Sequence, residues 1–335
     1  MSKHSVIIIG CGSIGERHLR CFLKTGRAEV TACDNNPALL QRMAENYQVP
    51  TRSDWHAALT SGDFEAAIIC TPAPLHVPMG RRALEAGIHV LIEKPLSNSL
   101  EGVEELIQAC ERRRGQAAVA YVFHLFPMLA QARDFLEHGE LGPILQTVVT
   151  SGQPFHRLRP GYAESYYRDR RSGGGAIQDA LTHSANWIEI LVGPTDSVLC
   201  ECAHLALPNV DVEDTVHVSA RHGNVLASYV LNQFQAPNET TIQINAAQGS
   251  VKIEFHRQRW GIFRENDTDW TWCETPVPDR DTHFIAQASA FLDRLEGKPS
   301  RLCSLEAAAQ TLRFNLAALA SAEKGTRVFC RDLHA

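Results

Sequence analysis

Short apolar runs alternate with amphipathic segments along the first 122 residues of the chain. Five of these runs lack polar alternation and predict strands at Val6–Ile9, Glu29–Cys33, Ala66–Cys70, Ile88–Ile92 and Ala117–Tyr121. The segments between them repeat apolar residues at helical spacing and predict helices at Ile14–Lys24, Pro37–Tyr47, Leu75–Ala86 and Ser99–Arg114. Because apolar strands that alternate with helices form parallel sheets covered on both faces, residues 1–122 are expected to be a doubly wound α/β domain.

The pattern changes after about residue 123. Helices are predicted at Pro127–His138, from about Gly175 to Val192, at His283–Glu296 and at Leu305–Glu323. Polar and apolar residues alternate in strands predicted at Ile144–Ser151, Val212–Ala220, Val225–Phe234, Thr241–Ala247 and Val251–Phe255. Residues 123–335 are therefore expected to form a second α/β domain with a large mixed, mostly antiparallel, open-faced sheet. We expect the last helix to pack back on the first domain.

Composition narrows the possible partners. The 335 residues are 44% hydrophobic and 21% charged, as in an ordinary soluble protein of two domains. A net charge of −6 argues against binding to nucleic acid or to an acidic membrane surface. The first residues lack the apolar stretch of a signal peptide or a membrane span, and the ten cysteines predict free thiols in the cytoplasm.

Two cysteines and a histidine are spaced as metal ligands can be. Cys200, Cys202 and His204 lie close together in the sequence. Their alternation instead predicts a strand with Cys200 and Cys202 on one face, and no second pair of ligands lies nearby. We expect no metal.

A glycine pattern follows the first predicted strand. Gly10, Gly12 and Gly15 stand between this strand and a helix, and an acid follows 19 residues later. Glycine triplets arise by chance, but this context is that of a dinucleotide-binding turn. Gly10 permits the tight turn, Gly12 lets the main chain approach a pyrophosphate, and Gly15 allows close packing of helix and strand. Ser13 and Ile14 then present main-chain amides to the pyrophosphate at the helix N-terminus.

Asp34, at the end of the second strand, indicates which dinucleotide is bound. Its carboxylate can accept hydrogen bonds from the ribose hydroxyls of NAD and would repel the 2′-phosphate of NADP. The following Asn35 and Asn36 offer no cation to reverse that preference. We predict NAD, with NADP disfavoured. The alternative is that Asp34 caps the helix that begins at Pro37.

Two further loops follow strands of the same sheet. Thr71, Pro72 and His76 come after the third predicted strand, and Glu93 and Lys94 come after the fourth. Because the carboxyl ends of parallel strands line the ligand crevice, all five are predicted to contact the cofactor. The Lys94 ammonium can stabilise an alkoxide and relay its proton. The alternative for the loop at 71–76 is a helix start defined by its prolines. The alternative for Lys94 is a solvated surface lysine.

The second domain offers an acid and a base. Asp179 and His183 lie four residues apart on a predicted helix, so their side chains should meet on one face. His183 can exchange a proton near neutral pH, and Asp179 can orient it. The glycines at 173–175 are expected to let this helix start approach a ligand closely. A structural Asp–His pair on an exposed face is the alternative.

Substrate residues are predicted from a loop rich in hydrogen-bond donors and aromatic rings. These features suit a polyhydroxylated or anionic ligand. The same composition equally suits a loop at a domain or subunit interface. For Tyr121, which lies outside the loop, the alternative is a packed strand end. The residues are Arg157, Tyr162, Tyr166 and Arg168 in the loop, and Tyr121 at the end of the last strand predicted in the first domain.

The glycine turn, the Glu93-Lys94-Pro95 turn and the motif from Gly173 to His183 occur together in this order. In this the chain resembles the Gfo/Idh/MocA family of NAD(P)-dependent oxidoreductases over nearly its whole length. The resemblance implies a Rossmann domain and an α/β domain whose open sheet makes the interface of a homodimer or homotetramer. It further implies that Lys94 and His183 act on the substrate hydroxyl with help from Asp179.

The resemblance also implies a cis peptide bond before Pro95. One position departs from the pattern, because many family members have glycine where this chain has Leu181. That side chain can narrow the pocket or pack under the helix.

The sequence predicts an NAD-dependent dehydrogenase that acts on a secondary alcohol of a sugar, an inositol or a related polyol. One alternative is an enzyme that retains NAD for glycoside cleavage or sugar–sugar oxidoreduction. Another is a regulatory scaffold that binds NAD without catalysis, which the intact set of Lys94, Asp179 and His183 disfavours.

Overall fold

The computed structural model describes residues 3–334, which fold into two compact units. The first unit contains the residues up to Val122 together with Pro278–Ala309. The second contains Phe123–Val277 together with the residues from Gln310 onward. The segment 278–309 thus belongs to the first unit, whereas the sequence pattern had assigned it to the second domain.

Strands and helices are numbered here in chain order. The strands are β1 His4–Ile9, β2 Ala28–Cys33, β3 Thr51–Arg52, β4 Ala66–Ile69, β5 His89–Ile92, β6 Ala117–Val119, β7 Ile144–Pro154, β8 Ser197–Ala203, β9 Thr215–His222, β10 Val225–Asn232, β11 Phe234–Ala246, β12 Gly249–Glu254, β13 Arg259–Arg264, β14 Thr271–Glu274 and β15 Val328–Phe329. The helices are α1 Ser13–Lys24, α2 Pro37–Tyr47, α3 Trp55–Thr60, α4 His76–Glu85, α5 Val103–Arg113, α6 Pro127–Glu137, α7 Phe155–Leu158, α8 Thr182–Val192, α9 Thr282–Leu295 and α10 Leu305–Lys324.

The first unit is built on a parallel sheet of six strands in the order β3-β2-β1-β4-β5-β6. Its central strands are buried on both faces, with Ile7 and Ile8 of β1 both fully buried. This explains why their sequences are apolar without alternation. The predicted doubly wound α/β fold is confirmed. The turns that follow β1, β4 and β5 lie at one edge of the sheet, because these strands are parallel neighbours.

Helix α9 explains why the segment 278–309 belongs to the first unit. The Phe291 ring of α9 packs edge-on against Phe22 of α1, with 6.3 Å between ring centroids. Just before α9, Asp281 accepts two hydrogen bonds of 2.7 Å from the Arg20 guanidinium. The packing of α9 on α1 therefore extends the apolar core of the first unit.

The second unit contains a sheet of nine strands in the order β14-β13-β12-β11-β7-β10-β9-β8-β15. β7 and β10 pair in parallel and the other neighbours are antiparallel, so the predicted mixed, mostly antiparallel sheet is confirmed. One face carries the apolar core, in which Trp187 of α8 and Phe314 of α10 pack with strand residues such as Tyr229. The opposite face is partly exposed, and Leu199 and Leu226 are 43% and 49% exposed there.

Two other properties of the described chain bear on the expectations above. No helix within residues 3–334 is long and apolar enough to cross a membrane. In the same range, no three His, Cys, Asp or Glu side chains are grouped so that they could hold a metal ion. Cys200 lies on β8, as the alternation predicts, and all ten cysteines carry free thiols.

Candidate active site

The glycine turn after β1 has the geometry that a bound dinucleotide requires. Gly10 has a φ of +92°, and a Cβ there would lie 2.8 Å from the main-chain carbonyl of Cys70. A Cβ at Gly15 would collide with the carbonyl oxygen of Gly10, so helix and turn can pack only if both residues are glycine. Beside Gly12 there is open space, and this residue has no side chain with which to cap α1. The free amides of the first turn of α1 and this space fit a pyrophosphate group.

Asp34 is fixed beside the glycine turn. Its Oδ2 accepts a 2.6 Å hydrogen bond from the main-chain amide of Cys11, and its Oδ1 accepts one of 2.8 Å from Asn36. The alternative role as a helix cap does not hold, because the side chain of Asn36 caps α2 by accepting from the amide of Ala38. Asp34 is instead half-buried at the carboxyl edge of the sheet, where a ribose can reach it.

The loop after β4 is held by His76. The Nδ1 atom of His76 lies 2.9 Å from the carbonyl oxygen of Pro95, and its Nε2 lies 2.7 Å from that of Thr71. Burial lowers the pKa of His76, although the two carbonyls partly oppose that change. With 1% exposure, its side chain supports two loops, and its predicted contact with the cofactor stays a prediction. Thr71 is half-buried and Pro72 is exposed, so both remain accessible at this edge.

In the turn after β5, one residue is only partly buried. From Val90 to Ser97 every residue is buried except Lys94. Glu93 is buried, and its carboxylate binds His18 Nε2 at 2.7 Å and the main-chain amide of Lys94 at 2.9 Å. Burial alone would raise the pKa of Glu93, but His18 and Lys94 hold that pKa below its ordinary value. Glu93 therefore supports the turn, and its predicted contact with the cofactor stays a prediction. The Lys94–Pro95 peptide bond is cis, as the resemblance implied.

In the second unit, the segment with the acid and the base is not a regular helix. Ile177–Leu181 form a π-helical turn before α8 begins at Thr182. The sequence pattern predicts one continuous helix here, because apolar spacing does not distinguish the two forms. Single π turns are frequent at functional sites. From Ala176 to Glu189 only Asp179, Ala180 and His183 are not buried.

Asp179 is bonded to the predicted substrate loop. The Tyr166 hydroxyl donates a 2.6 Å hydrogen bond to Asp179 Oδ1, and Tyr166 is 45% exposed. The structure thus brings together two residues that the sequence analysis assigned to separate roles. Tyr166 is placed to orient the carboxylate.

His183 lies against an aromatic group. Its ring stacks on Phe123 with centroids 4.9 Å apart and an interplanar angle of 21°. Phe126 and Phe255 pack against Phe123 at 5.2 Å each. These rings fix the plane of the imidazole and leave His183 half-buried.

The glycines before this segment serve the fold. A Cβ on Gly174 would collide with the carbonyl of Tyr167, and one on Gly175 would collide with the carboxylate of Glu213. Packing within the protein therefore requires glycine at both positions, and the close approach of a ligand to this segment stays a prediction. Glu213 Oε1 accepts a 3.0 Å hydrogen bond from the amide of Ile177, and its Oε2 accepts one of 2.8 Å from Arg170. The space beside Gly175 is filled by this buried carboxylate, and the space beside Gly174 by the carbonyl of Tyr167.

The predicted substrate residues are distributed differently. Tyr162 is buried against Phe155 and Tyr167, and its hydroxyl donates to the carbonyl of Pro208 at 2.7 Å. Its burial and this hydrogen bond favour a packing role, and its predicted role in substrate binding stays a prediction. Tyr121 is 1% exposed, which fits the packed alternative. Arg157 and Arg168 are exposed, so they remain available to a ligand.

The burial of Leu181 decides between its two expected roles. It is fully buried in the core of the second unit, packed in the same cluster as Ala185 and Ile188. Of the two roles left open above, packing under the helix is the one observed.

His18 and Glu213 are the supporting residues that the sequence analysis missed. His18 follows Gly15 by three positions, on the apolar face of α1 with Leu19 and Phe22. A polar residue on that face is a signal that could have been found. Glu213 lies in a loop far along the chain from the helix it caps, and no local pattern marks it.

These features define an oxidoreductase whose first unit is an NAD-binding domain. Two family descriptions match the chain, "Oxidoreductase family, NAD-binding Rossmann fold" over residues 4–121 and "GFO/IDH/MocA C-terminal domain" over residues 129–252. The chain belongs to the Gfo/Idh/MocA family.

Several characterised proteins are similar to it. Levoglucosan dehydrogenase of Pseudarthrobacter phenanthrenivorans is 24% identical over an alignment of 293 positions, which covers 77% of this chain and 75% of that protein. D-glucoside 3-dehydrogenase of Escherichia coli is 24% identical over an alignment of 349 positions, which covers 96% of each chain. Among solved structures, a levoglucosan dehydrogenase in complex with NADH and levoglucosan matches with a TM-score of 0.88 at 22% identity. That match covers 98% of this chain and 100% of the other, and it shows a shared fold.

Proposed function

We propose that this protein oxidises a secondary alcohol of a sugar, an inositol or a related polyol and transfers the hydride to NAD. The observation that carries the proposal is that Lys94 is the one half-buried residue in the otherwise buried turn from Val90 to Ser97, at the same sheet edge as the glycine turn. The similar proteins named above are dehydrogenases of levoglucosan and of D-glucosides, which supports a carbohydrate substrate.

Each accessible polar group receives one role. The glycine turn and Asp34 would hold NAD, which would supply the hydride acceptor. The Lys94 ammonium stabilises the negative charge that develops on the alcohol oxygen. His183 accepts the hydroxyl proton, and the ring of Phe123 holds its imidazole plane. Asp179, oriented by Tyr166, assists that proton transfer.

NAD is favoured over NADP by the surroundings of Asp34. Its carboxylate is fixed by the amides of Cys11 and Asn36 and cannot turn away from a 2′-phosphate. The nearby Arg42 and Arg52 face carboxylates, with Arg42 3.0 Å from Glu16.

Replacing Asp34 tests the cofactor preference. In Asp34→Ala, the affinity for NADP relative to NAD should rise about tenfold, because charge repulsion of this size is of the order of 1–2 kcal/mol. Calorimetric titration with both dinucleotides measures it, with Asn35→Ala as the exposed neighbouring control. An unchanged ratio in Asp34→Ala would refute the role of Asp34.

The exposed sheet face of the second unit supports self-association into a homodimer or homotetramer. Leu199 and Leu226 are exposed there among polar neighbours such as Ser219 and Ser228, a mixture typical of interfaces between identical chains. Light scattering should give a mass of two or four chains, and Leu226→Glu should shift it towards one. A monomeric wild type contradicts this assembly. For location, we propose the cytoplasm, since ten free thiols suit a reducing compartment.

The function is tested by following NADH formation with a panel of sugars, inositols and sugar acids, with NADP in parallel. The proposal predicts NADH formation with at least one polyhydroxylated alcohol and a slower reaction with NADP. If no member reacts while NAD binding is confirmed by titration, the proposed dehydrogenase activity is wrong.

A further inference from the structure

The turn that carries Lys94 is held by two buried histidines from other parts of the first unit. His18 lies on α1, immediately after the glycine turn, and His76 is the first residue of α4. Both rings are almost completely buried. Their contacts join the turns that follow three neighbouring strands of the sheet.

His18 is linked to the main chain of Lys94 through the carboxylate of Glu93. The Nε2 atom of His18 lies 2.7 Å from Glu93 Oε1, and Glu93 Oε2 accepts a 2.9 Å hydrogen bond from the Lys94 amide. A buried carboxylate that loses its partner is strongly destabilised. The conformation of Glu93, and with it the main chain at Lys94, therefore depends on His18.

The other side of the turn is fixed by His76. Its ring bridges the carbonyl oxygens of Thr71 and Pro95. Lys94 thus stands between two residues, Glu93 and Pro95, that are each bonded to a buried histidine. Its ammonium extends from a main chain that has little freedom to move.

His18 itself cannot easily change its position. Its ring packs edge-on against Phe284, with 5.6 Å between ring centroids. The guanidinium of Arg17 covers the same phenylalanine at 4.8 Å. His18 is therefore a fixed link between α1 and the Lys94 turn.

We propose that His18 is a positioning residue for Lys94, which it acts on through Glu93. It ties the lysine to the helix that follows the glycine turn, so the two move as one body. This rests on the proposed function, in which Lys94 stabilises the alkoxide. A displacement of about 1 Å at a reacting group can cost about a hundredfold in rate.

The position of Lys94 can be measured without activity. The chain has six lysines, so reductive ¹³C-methylation gives few NMR signals, and Lys94→Arg identifies the one from Lys94. In His18→Leu, without NAD, this signal should shift or broaden. In His18→Gln, whose amide can still donate to Glu93, it should stay in place. His222→Leu is the matched control, because His222 is also buried and bonded to a carbonyl, 3.0 Å from Gly193.

Kinetics on the alcohol found in the panel supply the second readout. We expect kcat to fall about 10- to 100-fold in His18→Leu and the affinity for NAD to change less than about threefold. His18→Gln should recover most of kcat. If His18→Leu does not fold, His18→Asn replaces it, because its shorter amide does not reach Glu93.

A merely structural histidine gives a different result. His18→Leu would then lower the melting temperature as His222→Leu does, with the Lys94 signal and kcat unchanged, and the proposal would be overturned. If Lys94→Ala is itself fully active, the proposed function fails, while the NMR signal still decides whether His18 positions Lys94.

Discussion

The two units hold their candidate catalytic side chains by different means. In the first unit, the residues on both sides of Lys94 are buried and bonded to His18 and His76, and the bonds reach the main chain of the turn. In the second unit, the imidazole of His183 stacks on the ring of Phe123, and Asp179 accepts a hydrogen bond from the exposed Tyr166. The lysine is thus set by the turns of the Rossmann sheet. The acid and the base are set by side chains, which substitutions can change without rebuilding the fold.

The largest effect is expected at Lys94, the half-buried residue of the turn after β5. Lys94→Ala should lower turnover about a thousandfold, because a charged donor to the developing oxyanion is lost. Steady-state NADH formation measures it, and NAD affinity should change little. Lys24→Ala, an exposed lysine of the same unit, should remain within about twofold of the wild type. Turnover in Lys94→Ala near that of the control contradicts the role of Lys94.

A second substitution separates packing from substrate contact in the second unit. Leu181→Ala should destabilise the protein by about 3 kcal/mol, since a fully buried leucine leaves a cavity. The KM for the alcohol should change less than about threefold. Denaturation with guanidinium measures the first value, with the exposed Leu205→Ala as the control. Unchanged stability together with a large change in KM would show that Leu181 lines the pocket instead.

The pH dependence of stability tests the buried His124, the neighbour of Phe123 in the chain. His124, next to Phe123 in the chain, binds Asn186 at 2.7 Å, and burial lowers the pKa of His124 from 6.5 to about 4. Between those values the unfolded chain takes up a proton that the folded one does not. Stability should therefore fall by roughly 2–3 kcal/mol as the pH falls from 6.5 to 4.

His124→Gln isolates this contribution, because glutamine keeps a donor for Asn186 but does not titrate. Its stability should fall less than that of the wild type over the same pH range, while the other ionisable groups affect both proteins alike. Tryptophan fluorescence during urea denaturation measures both. Parallel pH curves would contradict the assignment.

The smallest effect is expected at the exposed tyrosine. Tyr166→Phe removes the hydrogen bond to Asp179 and should lower kcat/KM about tenfold, with folding unaffected, because one charge-assisted hydrogen bond contributes about 1.5 kcal/mol. Tyr47→Phe, which also loses a bond to a carboxylate, is the control. A rate equal to that of the control means that Tyr166 does not orient Asp179.

The fold of the first unit could be predicted because its signals are local. Apolar strands, the glycines from Gly10 to Gly15 and the acid at Asp34 all lie within one βαβ unit, and the prediction of helix Pro37–Tyr47 agrees with the structure to the residue. The short β3 and α3 were missed, since two and six residues carry too little periodicity.

The surroundings of the acid and the base could not be predicted, because they depend on contacts between distant residues. Glu213 caps the segment at Ile177 from 36 positions away, and Phe123 reaches His183 from another element. Tyr162 looks like a ligand-binding tyrosine in sequence, but its hydroxyl is satisfied by the carbonyl of Pro208 within a small apolar cluster. Side-chain type alone does not show which face a loop residue presents.

Hydride transfer itself is tested most directly by isotope labelling. The alcohol found in the panel is prepared with deuterium on the reacting carbon, and the product NADH is analysed by mass spectrometry. If the protein is the proposed dehydrogenase, the deuterium appears in the reduced nicotinamide, and Lys94→Ala forms this product far more slowly. Deuterium released to the solvent, or NADH without deuterium, would contradict direct hydride transfer.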